Sequence, residues 1–212
     1  VALIAAAKNM MDVLGLWERI AAEAEPVTTI DITDTPLDLP VRSSVLHFDT
    51  ILSFEEPAAF VVENTVLRRA LLDAVAETPD ITLIAPDSVA TADISISNAT
   101  VTLKSGQTLM ANLLIAADGR QSILSKLAGF KTLELDSGQT GLVVTVAHEK
   151  PHEGRAIQHF IPSGPFAILP MTHNRSSLVW TEKSEDAKRI TALDNDAVLA
   201  EIEKRMGGVF GT

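Results

Sequence analysis

The chain has 212 residues, 46% of them hydrophobic and 21% charged, enough for one large domain or two small ones and too apolar for disorder. A formal net charge of -11 argues against nucleic acid, which needs clustered Lys and Arg, and against simple electrostatic attachment to an anionic membrane. With no Cys there is no disulfide framework, thiolate metal site or Cys nucleophile, and no apolar run nears the roughly 20 residues of a membrane span.

In chain order, Leu3, Met10, Met11, Leu14, Leu16, Trp17 and Ile20 carry a helical apolar pattern interrupted at Gly15. The chain thus starts inside a helix, and its N-terminus lacks the basic flank of a signal peptide. Val27 to Asp34 alternates like a strand, with Val27, Thr29, Asp31 and Thr33 on one face and Thr28, Ile30 and Ile32 on the other. Val45 to Phe54 reads as a second extended stretch. Asn64 to Val75 is the clearest helix: Leu67, Ala70, Leu71, Ala74 and Val75 share one face, and Asn64 suits the N-cap.

Ile81 to Ile84 is a short strand-type run, and the stretches from Ile94 and Val101 form a hairpin signal around Asn98. After a turn at Ser105-Gly106-Gln107, Leu109 to Ala117 is continuously apolar, as expected of a strand buried on both faces. Ser122 to Ala128 is helical and stops at Gly129. Leu142 to Ala147, Ala156 to Ile161, Phe166 to Leu169 and Ser177 to Thr181 are closely spaced strands that suggest an antiparallel sheet. A last helix spans Asp196 to Met206 before Gly207-Gly208.

Leu113-Leu-Ile-Ala-Ala-Asp118-Gly119 is the most informative stretch. An apolar strand meets two small residues, a glycine free to take positive φ, and a carboxylate able to accept from sugar hydroxyls, the arrangement of ligand sites beyond strand ends. The plain alternative is a strand-to-helix turn in which Asp118 only caps. No metal site is expected of the five His residues, and no Gly-x-Ser-x-Gly elbow supports a hydrolase.

These residues resemble the class A FAD-dependent aromatic hydroxylases, in particular their ubiquinone-biosynthesis branch. Asp118-Gly119-Arg-Gln-Ser122 looks like the family's internal Asp-Gly motif, with Ala116 where Gly usually stands. Val13-Leu-Gly-Leu-Trp17, Asn64-Thr-Val-Leu-Arg-Arg-Ala-Leu-Leu72, the stretch Gln158 to Pro170 and Asn174 to Trp180 follow in the family's order. The resemblance implies an α/β (α+β) fold: a partial FAD-binding Rossmann-like domain (1–26 and 60–130) interleaved with an antiparallel-sheet substrate domain (27–59 and 131–212).

It also implies flavin contacts at Asp118, Gly119, Asn64 and Arg68, and a substrate pocket at Gln158, Phe160, Leu169 and Pro170. For Arg68 a solvated helix face is the favoured reading; for Phe160, Leu169 and Trp180 it is packing. No catalytic acid-base group or metal is expected, because FAD carries the oxygen chemistry. The implied reaction hydroxylates a polyprenylated phenol with FAD, NAD(P)H and oxygen. It would take place in the cytoplasm, peripheral to the inner membrane or within a biosynthetic assembly.

Neither the family's N-terminal Gly-x-Gly-x-x-Gly nor its later Gly-Asp motif occurs. The chain is therefore expected to be a truncated piece, inactive alone, that binds FAD weakly or not at all. Two alternatives are another class A flavoenzyme, such as a small-phenol hydroxylase or isoprenoid reductase, and a non-catalytic binding or scaffold domain.

Overall fold

The closely spaced strands of the second half find their partners in a six-stranded sheet. The computed structural model describes residues 1–37, 39, 42–49, 56–57, 59–95 and 97–211. In order across the sheet lie β4 (Ser44–Asp49), β3 (Thr29–Asp34), β10 (Arg155–Ile161), β11 (Gly164–Met171), β12 (Arg175–Lys183) and β9 (Gln139–Ala147). Every ladder is antiparallel except β3 with β10, which is parallel. The sheet is therefore mixed, where strand spacing alone suggested antiparallel pairing. Residues 50–55 of the expected second extended stretch lie outside the described residues.

Alternation gives this sheet one closed face. Ile157, Ile161, Phe166, Ile168, Leu178 and Trp180 pack against Ile190 of α5 (Ser184–Thr191), Ile202 of α6 (Asn195–Met206) and Phe210. Helix α6 starts on Asp194, whose carboxylate accepts from the Ala197 amide at 2.9 Å. It ends on Gly207 at φ +66, a left-handed turn that a Cβ would strain. Helix α5 was missed from the sequence, although Glu185 and Asp186 in its first turn and Lys188 and Arg189 in its last complement the helix dipole.

A second sheet joins β1 (Ala2–Ile4), β5 (Ala59–Val62) and β2 (Ala24–Val27), all antiparallel. The opening residues are thus a strand leading into α1 (Ala5–Val13), where the apolar pattern suggested helix from the start. Gly15 then separates α1 from α2 (Trp17–Ile20), as the pattern indicated. Leu3, Ile20, Val62, Val66 and Ala70 close a small core between this sheet and α3 (Asn64–Glu77), with Trp17 edge-on to Phe60 at 4.8 Å.

The described residues divide into two compact units, Val1–Ala74 with Ser137–Thr212, and Val75–Asp136. The second unit holds a three-stranded meander, β6 (Val89–Ile94), β7 (Ala99–Leu103) and β8 (Thr108–Ala111), and α4 (Ile123–Leu127). The hairpin between β6 and β7 closes as expected, Ser95 bonding both the carbonyl and the side chain of Asn98 at 2.9 Å.

One expected strand does not form and another is cut short. Ile81 to Ile84 has no regular structure, and the strand expected over Leu109 to Ala117 stops at Ala111. Leu113 and Ile115 are 73% and 72% exposed rather than buried on both faces. The reason is that no described strand offers their backbone a ladder, and apolar side chains alone do not make a strand.

Candidate functional site

The Asp118 turn is built by the start of α4. The Asp118 carboxylate accepts from Ser122 Oγ at 2.5 Å and from the amides of Ile123 and Leu124 at 2.7 and 3.2 Å. Ser122 in turn caps the helix by accepting from the Ser125 amide at 2.9 Å. The hydrogen bond from Ser122, with help from these amides, holds the Asp118 carboxyl below its ordinary value.

The capping reading of Asp118 therefore describes this geometry. The carboxylate is nevertheless exposed, and its oxygens keep acceptor capacity for a sugar hydroxyl. Gly119 stands at φ +83 with nothing within 4 Å of where a Cβ would sit. Backbone and carboxylate are thus open to an approaching polar chain such as a ribityl group.

Asn64 and Arg68 lie in the other unit, both exposed on α3 and one turn apart. Asn64 is the first helical residue, not the cap. The Glu63 carbonyl accepts from the amides of Val66 and Leu67, so the capping position falls one residue earlier. The Asn64 side chain is thereby left free of the capping role the sequence suggested.

Register sorts the four pocket candidates. Opposed residues in a ladder share a face. Gln158 pairs with Ile32 and Ala167, Phe160 with Asp34 and Pro165, and Leu169 with Ser177. Gln158, Phe160 and Leu169 therefore share the face of the six-stranded sheet opposite the closed core. Pro170 does not join them, because it pairs with Ser176 on the closed face and is fully buried.

Leu169 packs partly against Val27, Val61, Ala156 and Met171, as a core residue would. Phe160 does not follow the packing reading, being 47% exposed. The same face carries Leu46 and Phe48 on β4 and Val143 on β9, all exposed. On this face Gln158 Nε2 is buried with no hydrogen-bond partner among the described residues. An unmade buried bond of this kind costs about 1–3 kcal/mol.

A polar seam on the other face escaped the sequence reading. Buried Asp31 is held by His47 Nδ1 at 2.7 Å and by Arg155 Nε. Burial pushes its carboxyl up, but the bonds from His47 and Arg155 outweigh this and keep it below the ordinary value. Beside it, Thr33 Oγ1 lies 2.6 Å from Nδ1 of buried His159. The alternation of Asp31 and Thr33 was visible in sequence, but their burial depends on Arg155 and His159, more than 120 residues away.

The family model for the FAD binding domain matches residues 6–211. The chain belongs to this FAD-binding family. It is 39% identical over 210 residues to a ubiquinone hydroxylase of Rhodospirillum rubrum, across 99% of this chain and 48% of that protein. It is 27% identical over 211 residues to the 3-demethoxyubiquinol 3-hydroxylase of Escherichia coli, across 99% of this chain and 52% of that protein.

The chain thus spans about half the length of these curated relatives. In fold it is similar to PqsL of Pseudomonas aeruginosa (TM-score 0.80, 16% identity, 96% of this chain and 56% of that one). It is also similar to HpxO of Klebsiella pneumoniae complexed with FAD (TM-score 0.72, 18% identity, 98% and 53%). The mixed α/β architecture is that of FAD-dependent monooxygenases.

Proposed function

We propose that the chain is part of an FAD-dependent monooxygenase that hydroxylates a polyprenylated phenol of the ubiquinone pathway, using NAD(P)H and oxygen. The observation that carries this reading is the open apolar face of the six-stranded sheet, which holds one buried amide and suits a planar, sparsely polar ring. The names of the Rhodospirillum and Escherichia relatives support the choice of pathway.

When bound, FAD supplies the oxygen chemistry, which side chains alone cannot. The residues of this chain supply binding and surroundings. Asp118 accepts a hydrogen bond from a ribityl hydroxyl while continuing to cap α4, and Gly119 admits close backbone approach. Asn64 and Arg68 present exposed polar side chains one turn apart on α3. Phe160, Leu46 and Phe48 keep water from the ring and so protect the reaction. Gln158 stands among them as the polar contact.

No helix among the described residues is long and apolar enough to cross a membrane. The proposed polyprenyl substrate would be reached by peripheral contact with a membrane surface or by handover within a biosynthetic assembly.

The test is product analysis with the full-length protein that carries this chain, offered prenylated and unprenylated phenols with NADH or NADPH. Incorporation of one oxygen atom into the prenylated ring supports the reading. Turnover of small phenols alone points to another class A flavoenzyme. Asp118→Ala should weaken flavin retention by at least about tenfold, read from the visible absorbance after gel filtration.

A further inference from the structure

We propose that Gln158 sets substrate specificity, its amide donating a hydrogen bond to an oxygen carried on the substrate ring. This rests on the hydroxylase reading above and adds which residue reads the oxygen on the ring. Three observations converge on it.

The first is position. Gln158 is central on β10, the third of six strands, and directly opposes Ala167 on β11 and Ile32 on β3. Ala167 is small, and Ala156 and Phe160 are neighbours of Gln158 along the same face. Phe160 is 47% exposed and offers an aromatic side chain two residues along from Gln158 on that face.

The second is the unmet bond. Nε2 is buried and has no partner among the described residues. Buried donors in folded proteins are nearly always paired, so an orphan on an open face needs an explanation. A ligand that brings its own acceptor supplies one.

The third is the chemistry of the donor. An amide N–H2 donates without carrying charge, so it selects a neutral or anionic oxygen and offers nothing to a cation. A phenolic, methoxy or carbonyl oxygen at the rim of an aromatic ring fits; an unsubstituted ring leaves the donor unpaired. Sites built to pair a polar group reject analogues that lack it far more sharply than apolar pockets reject a missing methylene.

The experiment compares Gln158→Met and Gln158→Leu with the parent in the full-length, FAD-loaded protein. Met keeps the length and removes both polar atoms; Leu removes them with a shorter, branched side chain. The probes are a methoxyphenol with one short prenyl group and the prenylbenzene without ring oxygens. Dissociation constants are read by titration calorimetry and melting temperatures by calorimetric scanning.

The parent should favour the oxygenated ring by roughly 10- to 100-fold, and both variants should lose that preference. Gln158→Met should melt no lower than the parent, because it removes an unpaired donor rather than a contact. A purely structural amide gives the reverse result, a lower melting temperature with the preference intact, and that overturns the proposal. A preference unchanged in both variants overturns it as well. If the parent holds FAD but binds neither ring, the ring-site assignment of Gln158 fails while the flavoprotein reading stands. If it holds no FAD and hydroxylates nothing, the hydroxylase reading falls and takes this inference with it.

Discussion

Two apolar stretches of similar composition meet opposite fates in this molecule. Phe166 and Ile168 on β11 are buried at 0% and 2% exposure between two ladders and beneath α5 and α6. Leu113 and Ile115 are more than 70% exposed and carry no strand at all. Hydrophobicity creates the demand for burial, but a strand also needs neighbours for its backbone groups. The six-stranded sheet supplies those neighbours from within the chain. The stretch before Asp118 finds none among the described residues.

The largest expected effect lies at the closed face. Arg205 on α6 is 7% exposed, bonds Glu182 of β12 at 2.9 Å and stacks over Trp180 at 4.0 Å. Trp180 Nε1 donates to the same Glu182 oxygen at 2.6 Å. Trp180 is thus a packing residue, as the sequence reading favoured. Arg205→Ala removes the cation and leaves the buried carboxylate of Glu182 bonded, among the described residues, to the Trp180 indole. The expected loss is about 3–5 kcal/mol, read from urea unfolding. A loss below about 1 kcal/mol would mean that this face is less tightly closed than the contrast requires.

A smaller effect tests the polar seam. Burial, aided by the charge of Arg42, holds His159 below its ordinary value, against the pull of Thr33 and Asp34. The imidazole is therefore neutral in the folded protein at pH values where an unfolded chain has already taken up a proton. Between the lowered value and 6.5 the unfolded state binds more protons, so stability falls as the pH drops through that window and levels off below it. Replacing His159 by Leu together with Thr33→Val should remove this share of the pH dependence. Urea midpoints of parent and double variant from pH 7 downward check it, and parallel curves would contradict it.

How legible all this was depended on where each residue's partners lie in sequence. Helices α3, α4 and α6 and the strands from Gln139 onward could be read because caps, turns and alternation are local signals. The burial of Asp31 could not, because the groups that make it tolerable come from β4 and β10. Asp118 was recognised as the residue at the turn, but its bonds to Ser122, Ile123 and Leu124 appear only once α4 is in place. For Gln158 and Pro170 alternation showed that they could differ in face. Only the register of β10 with β11 shows which one meets the open side.

The smallest expected effect tests the opening contrast most directly. Leu113→Asp in the 212-residue polypeptide should change stability by no more than about 0.5 kcal/mol, because the side chain is already in water. The same substitution in the full-length protein discriminates between two situations. If residues outside these 212 pair with this stretch and bury Leu113, the aspartate becomes a charge in an apolar layer and costs several kcal/mol. If the cost stays near zero in both, the apolar run is surface in its native setting too. The Asp118 turn would then be anchored by α4 alone, through the bonds that Ser122, Ile123 and Leu124 donate. A large loss in the full-length protein alone would mean that the strand expected from the sequence is real and is completed from outside this chain.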